Sequence, residues 1–272
     1  MRDRPDHPRQ LGHLRLVREL PDSPVGRRWI GLHEHRRTNH LVYRLPGRRD
    51  RGERRDVLAL LERVSAIRHP HLLPIEQYTL GSDGSPWIVA PYTGNQAGLV
   101  TLNDVREAKG GKMPSFEVER TIEHLLSGVA LAHDHGVVHG PVVDEELLVD
   151  RHGSLLVELY GLRVGLQGVA ERSPELARDE IRAVVQTGYR LVTGLAPEEP
   201  IIPASRVVKR LDRRWDAWFE RGLDPTEGFD SADAAMDALR SGEPAPEAPV
   251  VRAKSVLGRL GWAGLGSKRQ DR

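Results

Sequence analysis

The chain has 272 residues, 39% of them hydrophobic and 29% charged, and a formal net charge of +1. That length suits one large domain or two lobes sharing a core, and the balanced charge gives no global electrostatic case for nucleic acid. The chain has no cysteine, which excludes disulfides, thiolate metal sites and cysteine nucleophiles.

The first residues, MRDRPDHPRQ, lack the apolar centre of a secretory signal. Residues 1–10 are expected to be a disordered arm. No apolar run approaches the ~18 residues that a membrane span needs, no internal repeat is visible, and a cytoplasmic location is expected. Arg15-Leu16-Val17, Trp29-Ile30-Gly31-Leu32 and His40-Leu41-Val42-Tyr43 read as strands, with Arg36-Arg37-Thr38-Asn39 as a hairpin turn. Leu20 to Gly26, with two prolines and Asp22, reads as an ordinary turn. From Arg55 to Ile67, apolar residues recur at helical spacing: Val57, Leu60, Leu61, Val64 and Ile67. Glu76–Leu80 and Trp87–Ala90 read as a strand pair. Thr101–Ala108 reads as a short helix capped by Thr101, with Asp104 in its first turn.

Ser115 opens a long helix that runs to His135, with Leu125, Leu126, Val129, Ala130 and His133 as its buried stripe; Gly136 stops it. Leu147-Leu148-Val149 and Leu155-Leu156-Val157 flank Asp150-Arg151-His152-Gly153, a hairpin signal. His133, His135 and His139 lie close in sequence. Spacing alone does not make them converge on a metal, and no metal site is expected. Glu243–Pro249 is a linker by composition. The tail at 250–272 interleaves basic residues with Val256, Leu257, Leu260, Trp262, Leu265 and four glycines. It reads either as a weak anionic-surface or partner contact or as a solvated end, and its glycines argue against a stable helix.

The order from His133 to Leu162 resembles the catalytic core of the protein kinase family, in particular bacterial Ser/Thr protein kinase domains. There a helix ends at His-x-x-Gly, an HRD-x-x-x-x-N loop follows, and a hairpin leads to DFG. The spacing fits without a gap. His139 holds the His position, Gly140 and Pro141 stand at Arg and the catalytic Asp, Glu146 stands at Asn, and Leu159-Tyr160-Gly161 replaces DFG. Arg68-His69-Pro70-His71-Leu72-Leu73-Pro74 is similar to the family's RHPHIL segment. Glu180 to Gly194 is similar to its D-I-Y-S-L-G…L-L-T-G helix, with Glu180 for the Asp that steadies the loop. Ser173-Pro174-Glu175 resembles an APE remnant, and Trp215 to Leu239 resembles the closing helices.

The resemblance implies a two-lobed α+β kinase-like fold, with a β-rich N-lobe at 11–92, a mainly helical C-lobe at 93–241 and a linker and basic tail at 242–272. By position, Leu41-Val42-Tyr43-Arg44 stands for V-A-I-K. That register puts Arg44 at the phosphate-binding Lys and Val42 at the Ala above the base, with Trp29 as roof, Leu148 as floor and Tyr92 in the hinge. The αC Glu falls at Leu60. Weak nucleotide binding, if present, would use Arg44, Val42, Tyr92 and Leu148. The inter-lobe pocket is expected to be small, with Trp29 or Val42 intruding and no acids converging near Leu159.

Pro141 and Leu159 can neither take a proton nor hold a cation, and losing one such electrostatic partner commonly costs ~2.7–4 kcal/mol. The resemblance therefore implies a pseudokinase, a non-catalytic binding, scaffold or regulatory module for a protein partner. No cofactor is expected, and any ATP binding is expected to be weak and Mg-independent. Two alternatives stay open. One is an atypical Ser/Thr kinase with residual ATP binding or phosphoryl transfer, in which Glu146 could ligate a cation. The other is an adaptor that contacts membrane or nucleic acid through the basic tail.

Overall fold

The structure, a computed structural model, describes residues 10–95, 98–168 and 173–242. Most of the expected arm, and all of the expected Pro-rich linker and basic tail beyond Gly242, lie outside the described residues.

Six antiparallel strands come first: β1 Gln10–Leu11, β2 Leu14–Ser23, β3 Gly26–His33, β4 Thr38–Arg44, β5 Gln77–Leu80 and β6 Pro86–Pro91. They form one sheet in the order β1-β2-β3-β4-β6-β5. Side chains alternate across it, as the pleat requires. Ile30, Leu41, Tyr43 and Ile88 face the main core, whereas Leu14, Trp29, Val42, Trp87 and Val89 form a separate apolar cluster on the other face. The stretch read as a turn from Leu20 to Gly26 is mostly strand. Ser23 pairs with Gly26, which leaves Pro24-Val25 as a two-residue connection.

Helix α1, Arg51–Ala66, starts four residues before the apolar periodicity does, because the Asp50 carboxylate accepts the Glu53 N–H at 2.8 Å. Its buried stripe is Val57, Leu60, Leu61 and Val64. The segment after α1 ties the sheet lobe to a second, two-stranded sheet of β7, Leu147–Val149, and β8, Leu155–Val157. Leu73 N–H donates to the Val157 carbonyl, and Val157 N–H to the His71 carbonyl, both at 2.9 Å.

The second lobe is helical: α2 Leu102–Ala108, α3 Ser115–Asp134, α4 Leu162–Leu166, α5 Pro174–Thr193, α6 Ala204–Val207, α7 Arg214–Leu223 and α8 Ala232–Ser241. Thr101 and Asp104 close a full capping box on α2. The Ser173 hydroxyl caps α5, with Pro174 in its first turn, so the expected APE remnant opens the same helix that carries Glu180. Trp215, Trp218, Phe219 and Phe229 pack ring against ring under α5 and α8. The architecture is the two-lobed α+β arrangement. Among the described residues, no helix is long and apolar enough to cross a membrane.

Helices α3 and α5 meet where Gly188 offers no side chain. A Cβ there would stand 2.9 Å from Ile122 Cδ1 and 3.5 Å from Phe219. Gly188→Val is expected to overpack this contact and cost about 1–3 kcal/mol, read as a lower urea midpoint with far-ultraviolet dichroism unchanged. An unchanged midpoint would contradict the close approach.

Candidate functional site

The loop after α3 is fixed by one carboxylate from α5. Glu180 is fully buried. Its Oε2 accepts the backbone N–H groups of His139 at 2.9 Å and Gly140 at 3.3 Å, and lies 3.2 Å from His133 Nε2. Its Oε1 accepts the Tyr160 hydroxyl. Glu180 thus holds the loop backbone from one side and the Leu159-Tyr160-Gly161 triplet from the other.

His139 continues the chain of contacts. Its Nδ1 accepts the Gly161 N–H at 3.0 Å, so Nε2 carries the ring proton and donates to Glu146 Oε2 at 3.1 Å. Gly161 can be nothing larger: its φ is +78°, and a Cβ would stand 2.5 Å from Val137 Cγ1. Leu159 also lies in the left-handed region, at φ +45°, with its side chain in the core.

Glu146 is buried and fully engaged. Besides His139, Oε2 accepts the Val143 N–H at 3.3 Å, and Oε1 accepts Arg163 Nε at 3.2 Å. Burial alone would raise this carboxyl, but His139 and Arg163 outweigh it and hold it below the ordinary carboxylate range. Arg163 also donates from Nη2 to the Pro141 carbonyl at 2.6 Å. One guanidinium therefore bridges the two positions at which the family resemblance places the metal-binding Asn and the catalytic base.

A second ion pair crosses between the lobes. Arg28 from β3 donates to Glu158 Oε1 at 2.6 Å, and the Tyr43 hydroxyl from β4 donates to the same oxygen at 2.6 Å. The Arg28 and Glu158 side chains are 6% and 1% exposed. Burial pushes the Glu158 carboxyl up despite Arg28 and Tyr43, and pushes the Tyr43 phenol well up, with Glu158 adding to that. Glu158 Oε2 has no hydrogen-bond partner among the described residues. Around this pair, Ile30, Leu41, Ala90 and Leu148 are between 0% and 6% exposed.

The register read from sequence is corrected by one residue. Tyr43, not Arg44, points into the cleft, and Leu41, not Val42, lies beside it. Because side chains alternate, a slip of one residue exchanges the faces. Val42 and Trp29 do not intrude on the cleft; they belong to the outer cluster. Arg44 lies outside, paired with Asp83 and placed 5.4 Å over the Trp87 ring. Glu146, Glu158 and Glu180 are all buried in this region, each with its own donors. Leu148 is buried in the core, and the Tyr92 hydroxyl donates to the Asn95 carbonyl at 2.7 Å. His135 bonds back to the Leu131 carbonyl. Leu60 packs on Gly165. Among the described residues, no group of three or more His, Asp or Glu could hold a metal ion.

Sequence reasoning missed Arg163 and the pairing of Arg28 and Tyr43 with Glu158. The available signal was Arg28 and Glu158, each beside an otherwise apolar strand run. A charge in such a place needs a partner.

No family model matches the chain. CBL-interacting protein kinases 33 and 32 of Oryza sativa subsp. japonica are each 31% identical to it over 100 residues, 36% of this chain. The chain spans about a fifth of the length of these relatives. In structure, it is similar to the PknI kinase domain of Mycobacterium tuberculosis, with a TM-score of 0.66 and 21% identity, covering 86% of this chain and 98% of that one. A second crystal structure of that domain gives a TM-score of 0.67 at 19% identity, covering 85% and 96%. The chain is protein kinase-like, with the two-lobed kinase fold.

Arg28→Met would leave Glu158 ionised, buried and without a cation, which costs about 3–5 kcal/mol. The double variant Arg28→Met with Glu158→Gln should recover most of that loss in urea denaturation. In the single variant the folded-state pKa of Glu158 lies further above its unfolded value. Its deficit should be full above that folded pKa and shrink as pH falls below it. A deficit that stays constant from pH 7 to 4 would contradict the assignment.

Proposed function

We propose that this chain is a pseudokinase: a kinase-fold module that does not transfer phosphoryl groups and serves as a binding or regulatory surface for a protein partner in the cytoplasm. The observation that carries this reading is the Arg163 guanidinium, seated between Glu146 and the Pro141 carbonyl. Phosphoryl transfer is mostly positioning and charge neutralisation, with Mg²⁺ bridging the phosphates. Glu146 is the acid best placed by sequence to recruit a metal, and its oxygens already face an imidazole, a backbone N–H and a fixed guanidinium. A tethered cation satisfies the carboxylate but cannot carry a nucleotide in with it.

The inter-lobe pair supports the same reading. Arg28 and Tyr43 both donate to Glu158 Oε1 in the cleft. A nucleotide would have to displace a buried ion pair before gaining any contact, and leaving either partner unpaired is costly. No cofactor is then required for folding, and the retained fold offers its surfaces. The rival reading, an atypical kinase with residual nucleotide binding, rests on Glu146 as a metal ligand. The adaptor reading rests on residues 250–272, which lie outside the described residues.

Thermal unfolding with ATP, with and without Mg²⁺, separates these readings. The midpoint is expected to stay within about 1 °C at ATP concentrations where a binder with a hundredfold excess of ligand over Kd would gain about 2.7 kcal/mol. A Mg²⁺-dependent rise that disappears in Glu146→Gln would establish the atypical-kinase reading instead. Liposome binding by the full chain that is lost on deletion of 250–272 would favour the adaptor.

A further inference from the structure

The sheet curls so far that residues from both its edge strands, β1 and β5, line one cavity on the outer face. This cavity faces away from the inter-lobe cleft. Its volume is about 730 Å³, inside the usual range of about 300–1,000 Å³ for small-molecule sites. The floor is apolar, made by Leu14, Trp87 and Val89, and the rim carries His13, His33, His40 and Arg36. The Trp87 ring is held in place from behind by Trp29, with centroids 5.8 Å apart, and by the Arg44 guanidinium.

Among the described residues, the rim carries one fixed cation, Arg36, and one acid, Glu76, and the two do not pair with each other. Glu76 is the one acid among the lining residues, and it is engaged: its Oε2 lies 2.9 Å from His40 Nδ1, while His40 Nε2 lies 2.9 Å from the Thr38 hydroxyl. Among the described residues, neither His13 nor the Arg36 side chain has a hydrogen bond or an acidic partner. His33 sits at the centre, its ring 6.0 Å from His13, 6.3 Å from His35 and 6.4 Å from His40. Burial lowers its pKa first, and then the repulsion of Arg36, His13, His35 and His40. An Arg36 guanidinium and a His13 ring that no acid pairs with, above an apolar floor, match a ligand that is negative at one end and apolar at the other.

We propose that this outer cavity is a binding site for a small organic anion, an aromatic or aliphatic body carrying a carboxylate, sulfonate or phosphate head. The body lies on Leu14, Trp87 and Val89, and the head meets Arg36, His13 and His33. The site is independent of the inter-lobe cleft, so it stands whether or not the chain transfers phosphate.

The probe is 8-anilinonaphthalene-1-sulfonate, titrated into the full chain by fluorescence and calorimetry. One saturable equivalent is expected, with affinity at least tenfold weaker in His33→Gln with Arg36→Gln, a variant whose thermal midpoint is recorded to show that it folds. Equal affinity in the double variant and the wild type would overturn the proposal. So would equal binding of the uncharged analogue N-phenyl-1-naphthylamine. A chain lacking residues 1–9 that binds the probe when the full chain does not would make that arm the occupant, and would overturn it too.

Discussion

Glu158 is a carboxylate with almost no access to water, and a carboxylate in that position needs a cation. Arg28 supplies it from the other lobe. The pair is not an economical source of stability, since desolvating two charges offsets most of their attraction. It acts through the cost of separation. Opening the lobes would hydrate both charges but give up the hydrogen bonds of Arg28 and Tyr43 to Glu158 and expose the apolar side chains of the core beneath the sheet, so the pair acts together with that core to set the lobes in one relative position. Tyr43 strengthens this, because its hydroxyl meets the same oxygen from the neighbouring strand. The buried apolar contacts of Ile30, Leu41 and Leu148 then follow, since the surfaces on either side have no freedom to part.

Three buried carboxylates in this region are satisfied in three ways. Glu180 takes backbone N–H groups and a phenol, and so shapes a loop. Glu146 takes an imidazole, a backbone N–H and a guanidinium, and so closes a site. Glu158 takes a guanidinium and a phenol, and so joins the lobes. In each case the compensating group is covalently part of the chain. A metal-dependent site instead leaves carboxylates partly unsatisfied until an ion arrives, which makes occupancy depend on what is bound. Here Glu180 and Glu146 find their donors within the chain, and Glu158 finds its two at one oxygen, Oε1.

Much of this was legible in the sequence. The hairpin of β7 and β8, the capping box of α2 and the long α3 follow from local rules: turn residues, caps and helical spacing; the role of Glu180 came from the family resemblance. Those rules act over a few residues and survive any tertiary context. The cleft did not follow, for one reason. Leu41-Val42-Tyr43-Arg44 is apolar at three successive positions, so its pattern does not say which face is buried. The positive charge of Arg44 matched the family's Lys and drew the register one residue out of place. Arg28 and Glu158 are 130 residues apart, and no local pattern links them. Arg163 follows the family's triplet at a position that carries no motif.

The same alternation that closes the inner face opens the outer one. A strand that turns Tyr43 and Leu41 inward must turn Val42 and Arg44 outward. Val42 joins Leu14, Trp29, Trp87 and Val89 in an apolar layer, and Arg44 lies over the Trp87 ring. In an ordinary two-sided arrangement the ligand would lie inside and the outer face would be solvated and polar. Here the inner face carries the Arg28, Tyr43 and Glu158 cluster, and the outer face carries aromatic surface beside imidazoles. The alternation of β4 thus gives the sheet two chemically distinct faces, a buried ion pair toward the cleft and an aromatic surface away from it.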